Sequence, residues 1–218
     1  MSTDRIRVLL ADDHNVLREG LKALLDREPD LTVVGEAANG RDALRLAGEL
    51  YPDVVVMDIG MPDLNGVEAT RRIGGDVPGT RVLCLSVHSE ASMIHAMLEA
   101  GARGYILKTG AGRELVHAVR VVARGETYLS PSVTSTVVAQ HLGGSGPESP
   151  AAYESLTARE REVLQLIAEG NHTKGVAKRL GIRPKTVLVH RENIMRKLEI
   201  DSVAGLVRYA LKEGVCEL

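Results

Sequence analysis

No phenylalanine and no tryptophan occur in the 218 residues, and five tyrosines supply the only large aromatic rings. The cores must therefore be built from Leu, Val, Ile, Ala and Met. Cysteine is nearly absent too: Cys84 and Cys216 lie far apart, and Cys84 sits inside an apolar run. That excludes a disulfide-stapled scaffold and points to two reduced thiols in a reducing compartment, a Cys84–Cys216 bridge being the lesser alternative. No apolar run approaches the roughly 18 residues that a membrane span requires. The start, Met1-Ser2-Thr3-Asp4-Arg5, runs straight into a strand-like segment without the apolar stretch of a signal peptide. A cytoplasmic protein without a membrane partner is expected.

What is there suits a globular chain, with 44% hydrophobic and 26% charged residues. Its length is generous for one domain and comfortable for two. The net charge of −2 hides an asymmetry. Residues 1–152 carry 15 Lys and Arg against 20 Asp and Glu, a balance of −5, whereas residues 153–218 carry 12 against 9, a balance of +3. An acidic half joined to a basic half fits a regulator attached to a nucleic-acid-binding module.

Five apolar runs recur in the first half: Ile6–Ala11, Leu31–Gly35, Val54–Met57, Val82–Leu85 and Tyr105–Leu107. They are nearly continuous in hydrophobicity, as parallel strands buried on both faces should be. Helical patterns lie between or after them. Val16, Gly20, Leu21, Leu24 and Leu25 form one, and Ala43, Leu44 and Ala47 another. Residues 89–100 place Met93, Ala96 and Met97 on one face, and residues 115–122 form a further stretch. This alternation predicts an α/β fold, a five-stranded parallel sheet doubly wound by helices.

Asp12 and Asp13 end the first strand, Asp58 the third, Ser86 the fourth and Lys108 the fifth. Ligands of open α/β sheets collect at this carboxyl edge, where the strand order reverses. Three converging carboxylates call for a cation, and a hard divalent ion such as Mg²⁺ fits oxygen donors best. A metal, a lysine and a hydroxyl around one carboxylate are the parts that stabilise a phosphoryl group in transfer. Each residue alone could be a turn former or a solvated loop side chain. The set at successive strand ends points to chemistry.

The segments Leu10-Ala11-Asp12-Asp13-His14, Val56-Met57-Asp58-Ile59-Gly60-Met61-Pro62, Leu85-Ser86 and Gly101-Ala102-Arg103-Gly104-Tyr105-Ile106-Leu107-Lys108 resemble the receiver domain of two-component response regulators. The resemblance spans about residues 5–125 and implies a flavodoxin-like fold. It further implies that Asp58 accepts a phosphoryl group from a sensor histidine kinase. Asp12, Asp13, Asp58 and the Gly60 carbonyl would hold Mg²⁺, Ser86 and Lys108 would contact the phosphoryl oxygens, and Tyr105 would be the switch aromatic. Gly60 and His88 occupy positions that in relatives modulate the phosphoryl lifetime.

Around residues 129–152 the composition changes to Gly, Ser and Pro, with Gly143-Gly144-Ser145-Gly146-Pro147 at its centre and a short helical piece, residues 133–142, ahead of it. A linker there separates a domain of residues 1–128 from one of residues 153–218. The last 66 residues hold no strand-like run and read as four helices. Thr157 to Glu160 forms a capping box, a short helix over 174–180 stops at Gly181, Pro184 opens a helix to about Leu198, and Ser202 caps the last. A short helix, a tight glycine turn and a second helix rich in Lys, Arg and Thr make a helix-turn-helix, with a small three-helix protein-binding domain as the alternative.

The residues Leu156-Thr157, Arg159-Glu160, Glu162-Val163-Leu164, Ala177, Leu180-Gly181, Pro184-Lys185-Thr186-Val187, His190-Arg191 and Asn193 through Leu198 resemble the LuxR-type DNA-binding domain. With the first half, almost the whole chain resembles the NarL/FixJ family. This implies a transcription factor meeting double-stranded DNA, with RNA polymerase as a further partner. Lys185, Thr186, Leu188, Val189, Glu192 and Arg196 are the expected DNA-facing residues, and His190 is expected to face inward. Arg183 replaces the usual polar cap, and Leu188 and Glu192 reduce the positive charge of the helix. In the last helix, Val203, Leu206, Val207, Ala210 and Leu211 form an apolar stripe that is expected to pair two copies over an inverted-repeat site. An aspartyl-phosphate phosphatase of the haloacid-dehalogenase kind is disfavoured, because Gly60 stands where its second Asp belongs. A receiver acting as a non-phosphorylated interaction module is the remaining alternative.

Overall fold

The computed structural model describes residues 5–142 and 151–216, which form two compact units. The glycine-rich tract between them lies outside the described residues. In the first unit, six parallel strands run in the order β2-β1-β3-β4-β5-β6: β1 Ile6–Ala11, β2 Leu31–Ala37, β3 Val54–Met57, β4 Arg81–Ser86, β5 Gly104–Leu107 and β6 Tyr128–Leu129. The chain steps from β1 to β2 and then back across β1 to β3, so the order reverses between β1 and β3. Val54, Val55, Val56 and Met57 are each buried to 2% exposure or less, as a strand covered on both faces requires.

Five helices flank the sheet: α1 Asn15–Leu25, α2 Gly40–Leu50, α3 Gly66–Asp76, α4 Ala91–Glu99 and α5 Ala111–Ala123. Leu21 and Leu25 of α1 join Leu115, Ala118, Val119 and Val122 of α5 in one apolar cluster with Val8, Leu10, Val56, Leu83, Leu85 and Ile106. Asn39 caps α2 by accepting from the Asp42 N–H at 2.8 Å, and Asn65 caps α3 by accepting from the Glu68 N–H at 2.9 Å. Arg120 of α5 is forked between Glu28 and Asp30, which ties α5 to the loop before β2.

Several expectations are revised here. The sheet gains a sixth strand of two residues, which pairs Tyr128 with Gly104 and Leu129 with Tyr105. The alternation of a two-residue strand is too short to read. Residues 131–142 form helix α6, Pro131–Leu142, whose Val133 is buried and which packs on α4 and β5. Val16 is 86% exposed, and the inner face of α1 runs instead through Leu17, Leu21, Leu24 and Leu25. In α4 the fully buried residues are Ile94 and Met97. Neither of the two buried cysteines forms a disulfide, in keeping with the expected reduced thiols.

The second unit is helical: α7 Ala151–Glu154, α8 Ala158–Ala168, α9 Thr173–Leu180, α10 Pro184–Leu198 and α11 Val203–Lys212. Thr157 and Glu160 complete the capping box of α8. Gly181 takes φ of 64°, a left-handed conformation that a side chain would strain, and so turns the chain from α9 into α10. Val163, Leu166, Val176, Val187, Ile194, Leu206 and Ala210 share one core.

Glu160 also anchors α10 to α8. Its carboxylate is 5% exposed and accepts from Lys197 Nζ at 2.7 Å and from the Thr157 N–H at 2.8 Å. Burial pushes the Glu160 pKa up, but the Lys197 and Thr157 bonds outweigh it and hold the group below the ordinary carboxylate range. A depressed carboxylate stabilises the fold above its unfolded pKa, and the contribution is lost as pH falls through the folded value. Lys197→Met removes the cationic partner and leaves the buried carboxylate only its Thr157 bonds, so thermal unfolding at pH 7 should show a loss of about 2 kcal/mol. That difference from wild type should shrink as the pH is lowered below about 4. An unchanged unfolding temperature at pH 7 would mean that the pair contributes nothing.

Candidate functional site

The carboxyl ends of β1, β3, β4 and β5 meet at one edge of the sheet. The Asp58 N–H donates to the Ala11 carbonyl at 2.8 Å, and the Asp12 N–H donates to the Ala37 carbonyl at 3.1 Å, so both acids continue the strand ladders. Asp58 is 4% exposed and Asp12 2%, while Asp13 is half-buried on the rim. Lys108, just past β5, places Nζ 2.7 Å from Asp58 Oδ2 and 2.9 Å from Asp12 Oδ2. The other Asp58 oxygen, Oδ1, accepts from the Ile59 N–H at 2.8 Å. Arg18 pins the β1–α1 loop by donating to the Asp12 carbonyl at 2.6 Å while pairing with Glu36.

Burial pushes the pKa of Asp58 up, and Lys108 opposes that rise. Burial also works against the Lys108 charge, but its bonds to Asp58 and Asp12 prevail and hold it above the ordinary lysine range. Three carboxylates thus crowd around one ammonium in a largely buried pocket. Ligand atoms of Asp12, Asp13, His14 and Asp58 lie within 4.8 Å of one another. Asp12 Oδ2 and Asp13 Oδ1 receive no aligned hydrogen bond, although Lys108 approaches the first as an ion contact. The three carboxylates of that group offer oxygen donors chemically matched to a hard divalent cation.

Ser86 is fully buried at the end of β4, and its Oγ accepts from the His88 N–H at 3.1 Å. Tyr105 is fully buried on β5, and its hydroxyl donates to the His88 carbonyl at 2.8 Å. The two residues thus hold the β4–α4 loop by opposite ends of His88. Burial pushes the Tyr105 phenol up, which keeps it protonated and able to donate. The Ser130 N–H donates to the Tyr105 carbonyl at 3.0 Å, so β6 is fastened to the same strand residue.

In the second unit, α10 turns Val187, Ile194 and Leu198 inward. Lys185, Thr186, Leu188, Val189, Glu192 and Arg196 are all exposed, and His190 is half-buried. Arg196 donates to Asn193 Oδ1 at 2.8 Å, which holds its guanidinium along the helix. Arg183 supplies no side-chain cap, and the pyrrolidine of Pro184 starts the helix instead. In α11, Leu206 and Ala210 are buried, Val207 and Leu211 are half-buried, and Val203 is 42% exposed. The apolar stripe is thus divided between core and surface.

Sequence reasoning missed the supports of the acid edge: Arg18, Glu36, His14 and Gly66. A Cβ on Gly66 would lie 1.9 Å from the Asp58 carbonyl oxygen, so only glycine admits this approach of α3 to β3. The Asn65-Gly66 pair, an N-cap before a glycine, was the available signal.

Known proteins carry the same two-part organisation. Residues 8–120 match the response regulator receiver domain, and residues 154–210 match the bacterial regulatory proteins of the luxR family. The transcriptional regulatory protein LiaR of Bacillus subtilis (strain 168) is 40% identical over 205 residues, covering 94% of this chain and 96% of its own length. The response regulator protein VraR of Staphylococcus aureus (strain NCTC 8325 / PS 47) is 38% identical over 212 residues, covering 97% and 99%. Among solved structures, the RcsB response regulator of Salmonella typhimurium, described for its conformational dynamism for DNA interaction, is similar with a TM-score of 0.60. It is 26% identical and covers 94% of this chain and 98% of its own.

Proposed function

Because this chain belongs to the NarL/FixJ family of two-component response regulators, joining a receiver domain to a LuxR-type DNA-binding domain, we propose that phosphorylation of Asp58 controls its pairing and binding on DNA. The observation that carries the reading is the convergence on Asp58. Lys108 lies 2.7 Å away, and Asp12 and Asp13 stand on the same edge with Ser86 at the end of β4. The chain is a transcription regulator, and the only chemistry assigned to it is on itself. We take the receiver as residues 1–128, the linker as 129–152 and the DNA-binding domain as 153–218, acting in the cytoplasm.

The Asp58 carboxylate attacks the phosphorus of a phosphohistidine on the kinase, forming an acyl phosphate as the phosphorus–nitrogen bond breaks. Asp12, Asp13, Asp58 and the Gly60 carbonyl would hold Mg²⁺, which would supply charge neutralisation for the phosphoryl oxygens. Lys108 exchanges its contact with Asp58 Oδ2 for a phosphoryl oxygen. Ser86 Oγ turns to donate to another, giving up the His88 N–H that it now accepts. The β4–α4 loop then shifts, and Tyr105, whose hydroxyl donates to the His88 carbonyl before the shift, is the ring that moves with it. Gly60, which brings no side chain, and His88 flank the phosphoryl group.

At the output end, α10 enters the major groove. Lys185, Thr186 and Arg196 supply contacts to phosphates and bases, Leu188 and Val189 can meet thymine methyls, and Glu192 can accept from cytosine N4. The exposed part of the α11 stripe, with Val203 and Val207 foremost, pairs two DNA-binding domains over an inverted repeat. RNA polymerase is the further partner at the promoter.

Intact-mass analysis after a small phosphodonor and Mg²⁺ tests the chemistry. Wild type should gain one base-labile phosphoryl group and Asp58→Asn none; an undiminished adduct on the variant would overturn the assignment of Asp58, and no adduct on wild type would leave the receiver as a non-phosphorylated interaction module. Val207→Glu places a charge in the pairing surface while sparing the Leu206 and Ala210 core. Its affinity for two half-sites should drop about tenfold or more, with affinity for one half-site unchanged. Equal binding by the variant and wild type would remove α11 from the interface.

A further inference from the structure

We infer that His14 is a nitrogen ligand of the cation pocket, which equips the site to hold borderline transition-metal ions such as Co²⁺ or Ni²⁺ more tightly than a pocket of oxygens alone. The inference rests on the reading of Asp12, Asp13 and Asp58 as a cation site, and it adds a donor that no oxygen-based account of that site requires.

The geometry comes first. His14 Nδ1 lies 2.8 Å from Asp13 Oδ1 and 3.3 Å from Asp12 Oδ1. Two atoms bound at right angles to one ion, each at about 2.1 Å, are separated by about 3.0 Å. His14 Nδ1 therefore already stands from each of the two carboxylate oxygens at about the spacing of neighbouring ligands on one ion. Ligand atoms of all four residues, Asp58 included, fall within 4.8 Å, which also admits a pair on opposite sides of the ion.

The chemistry agrees with that spacing. An imidazole lone pair and a carboxylate oxygen at 2.8 Å repel unless a positive centre lies between them. That centre is either a proton on the ring or a metal ion. The ring has no competing duty, because His14 is the N-cap residue of α1 and its side chain makes no capping bond. Its backbone is nevertheless fixed, since the His14 N–H donates to Asp12 Oδ1 at 2.8 Å. With the side chain 61% exposed, the ring can adjust without disturbing the core.

Selectivity follows from donor type. Carboxylates, carbonyls and water suit Mg²⁺, whereas imidazole suits the later transition metals, whose affinity for mixed nitrogen and oxygen sites rises from Mn²⁺ towards Cu²⁺. His14 should therefore contribute much to Co²⁺ and Ni²⁺ binding and almost nothing to Mg²⁺, which keeps a water in that position.

The test uses the full chain. Calorimetric titration with Co²⁺ and with Mg²⁺, on wild type, His14→Ala and Asp13→Asn, separates the contributions. His14→Ala should weaken Co²⁺ by more than about tenfold and change Mg²⁺ by less than about twofold. Asp13→Asn should weaken both. Pulsed electron paramagnetic resonance of the Cu²⁺-loaded protein should show the nitrogen coupling of a bound imidazole in wild type, lost in His14→Ala. Equal losses of Co²⁺ and Mg²⁺ in His14→Ala, or a wild-type spectrum without that coupling, would overturn the role of His14 while leaving the acid pocket standing. Wild type that binds neither ion, or binds them indifferently to Asp13→Asn, would overturn the pocket and the inference together.

Discussion

Asp13→Ala should lose Mg²⁺-dependent phosphorylation of Asp58 by at least about a hundredfold while keeping its fold. The factor follows from the several kcal/mol that a metal ion supplies to a transferring phosphoryl group. The fold is spared because Asp13 sits on the rim, half-buried, with no place in the apolar cluster beneath the sheet. Asp12 would be a poorer choice, being 2% exposed and in contact with Lys108. The rate of adduct formation by intact mass, beside the thermal unfolding temperature, reads both quantities. Phosphorylation at the wild-type rate would reduce the acid pair to a structural feature of the β1–α1 turn.

Gly66→Ala should damage the receiver far more than its single methyl group suggests. The added carbon would fall 1.9 Å from the Asp58 carbonyl oxygen and 2.9 Å from the Ile59 Cα, both backbone atoms that no rotamer change can move aside. Either α3 lifts from β3 or the peptide after Asp58 rotates, and a loss of about 3 kcal/mol or more is expected. The Gly66 N–H bond to the Ile59 carbonyl, 2.9 Å long, breaks in the first case. Phosphorylation should fall together with stability, because the displaced peptide carries the Ile59 N–H that orients Asp58 Oδ1. Gly48→Ala is the control: it lies in α2 with nothing within 4 Å of the new carbon. It should raise stability by about 0.5–1 kcal/mol. Two variants of identical chemistry with opposite signs would locate the effect in the contact with Asp58.

The parts of the fold written in long apolar runs were legible in the sequence. Strands β1 and β3 have the bounds read from their hydrophobicity, because strands covered on both faces must be continuously apolar. Helix α3 was not legible. It contains Gly66, Gly74 and Gly75, and its buried face includes Glu68 and Thr70, so neither propensity nor periodicity marks it. Glu68 is tolerated there because Arg71 and Arg72 pair with it, a compensation visible only in three dimensions. The exposure of Val16 has a related cause, since Leu17 one position on sets the phase of α1.

The acid edge was readable for a topological reason. Strand ends in an open parallel sheet share one edge, so Asp12, Asp13, Asp58, Ser86 and Lys108 were brought together by order alone. What holds them in place was not readable. Arg18 reaching the Asp12 carbonyl, His14 facing Asp13 and Ser130 fastened to Tyr105 depend on loop paths that carry no pattern. On α10, the LuxR-type resemblance marked the outward residues, and the three buried ones explain their exposure, because a helix with one inner face leaves its others to solvent.

The affinity of the full chain for duplexes selected from a randomised pool, measured with and without phosphodonor on wild type and Asp58→Asn, tests the central claim most directly. Phosphorylation should tighten wild-type binding by about tenfold or more on duplexes carrying two inverted half-sites and leave Asp58→Asn unchanged. Binding of wild type that is equally tight before and after phosphorylation, or a gain that persists in Asp58→Asn, would contradict it.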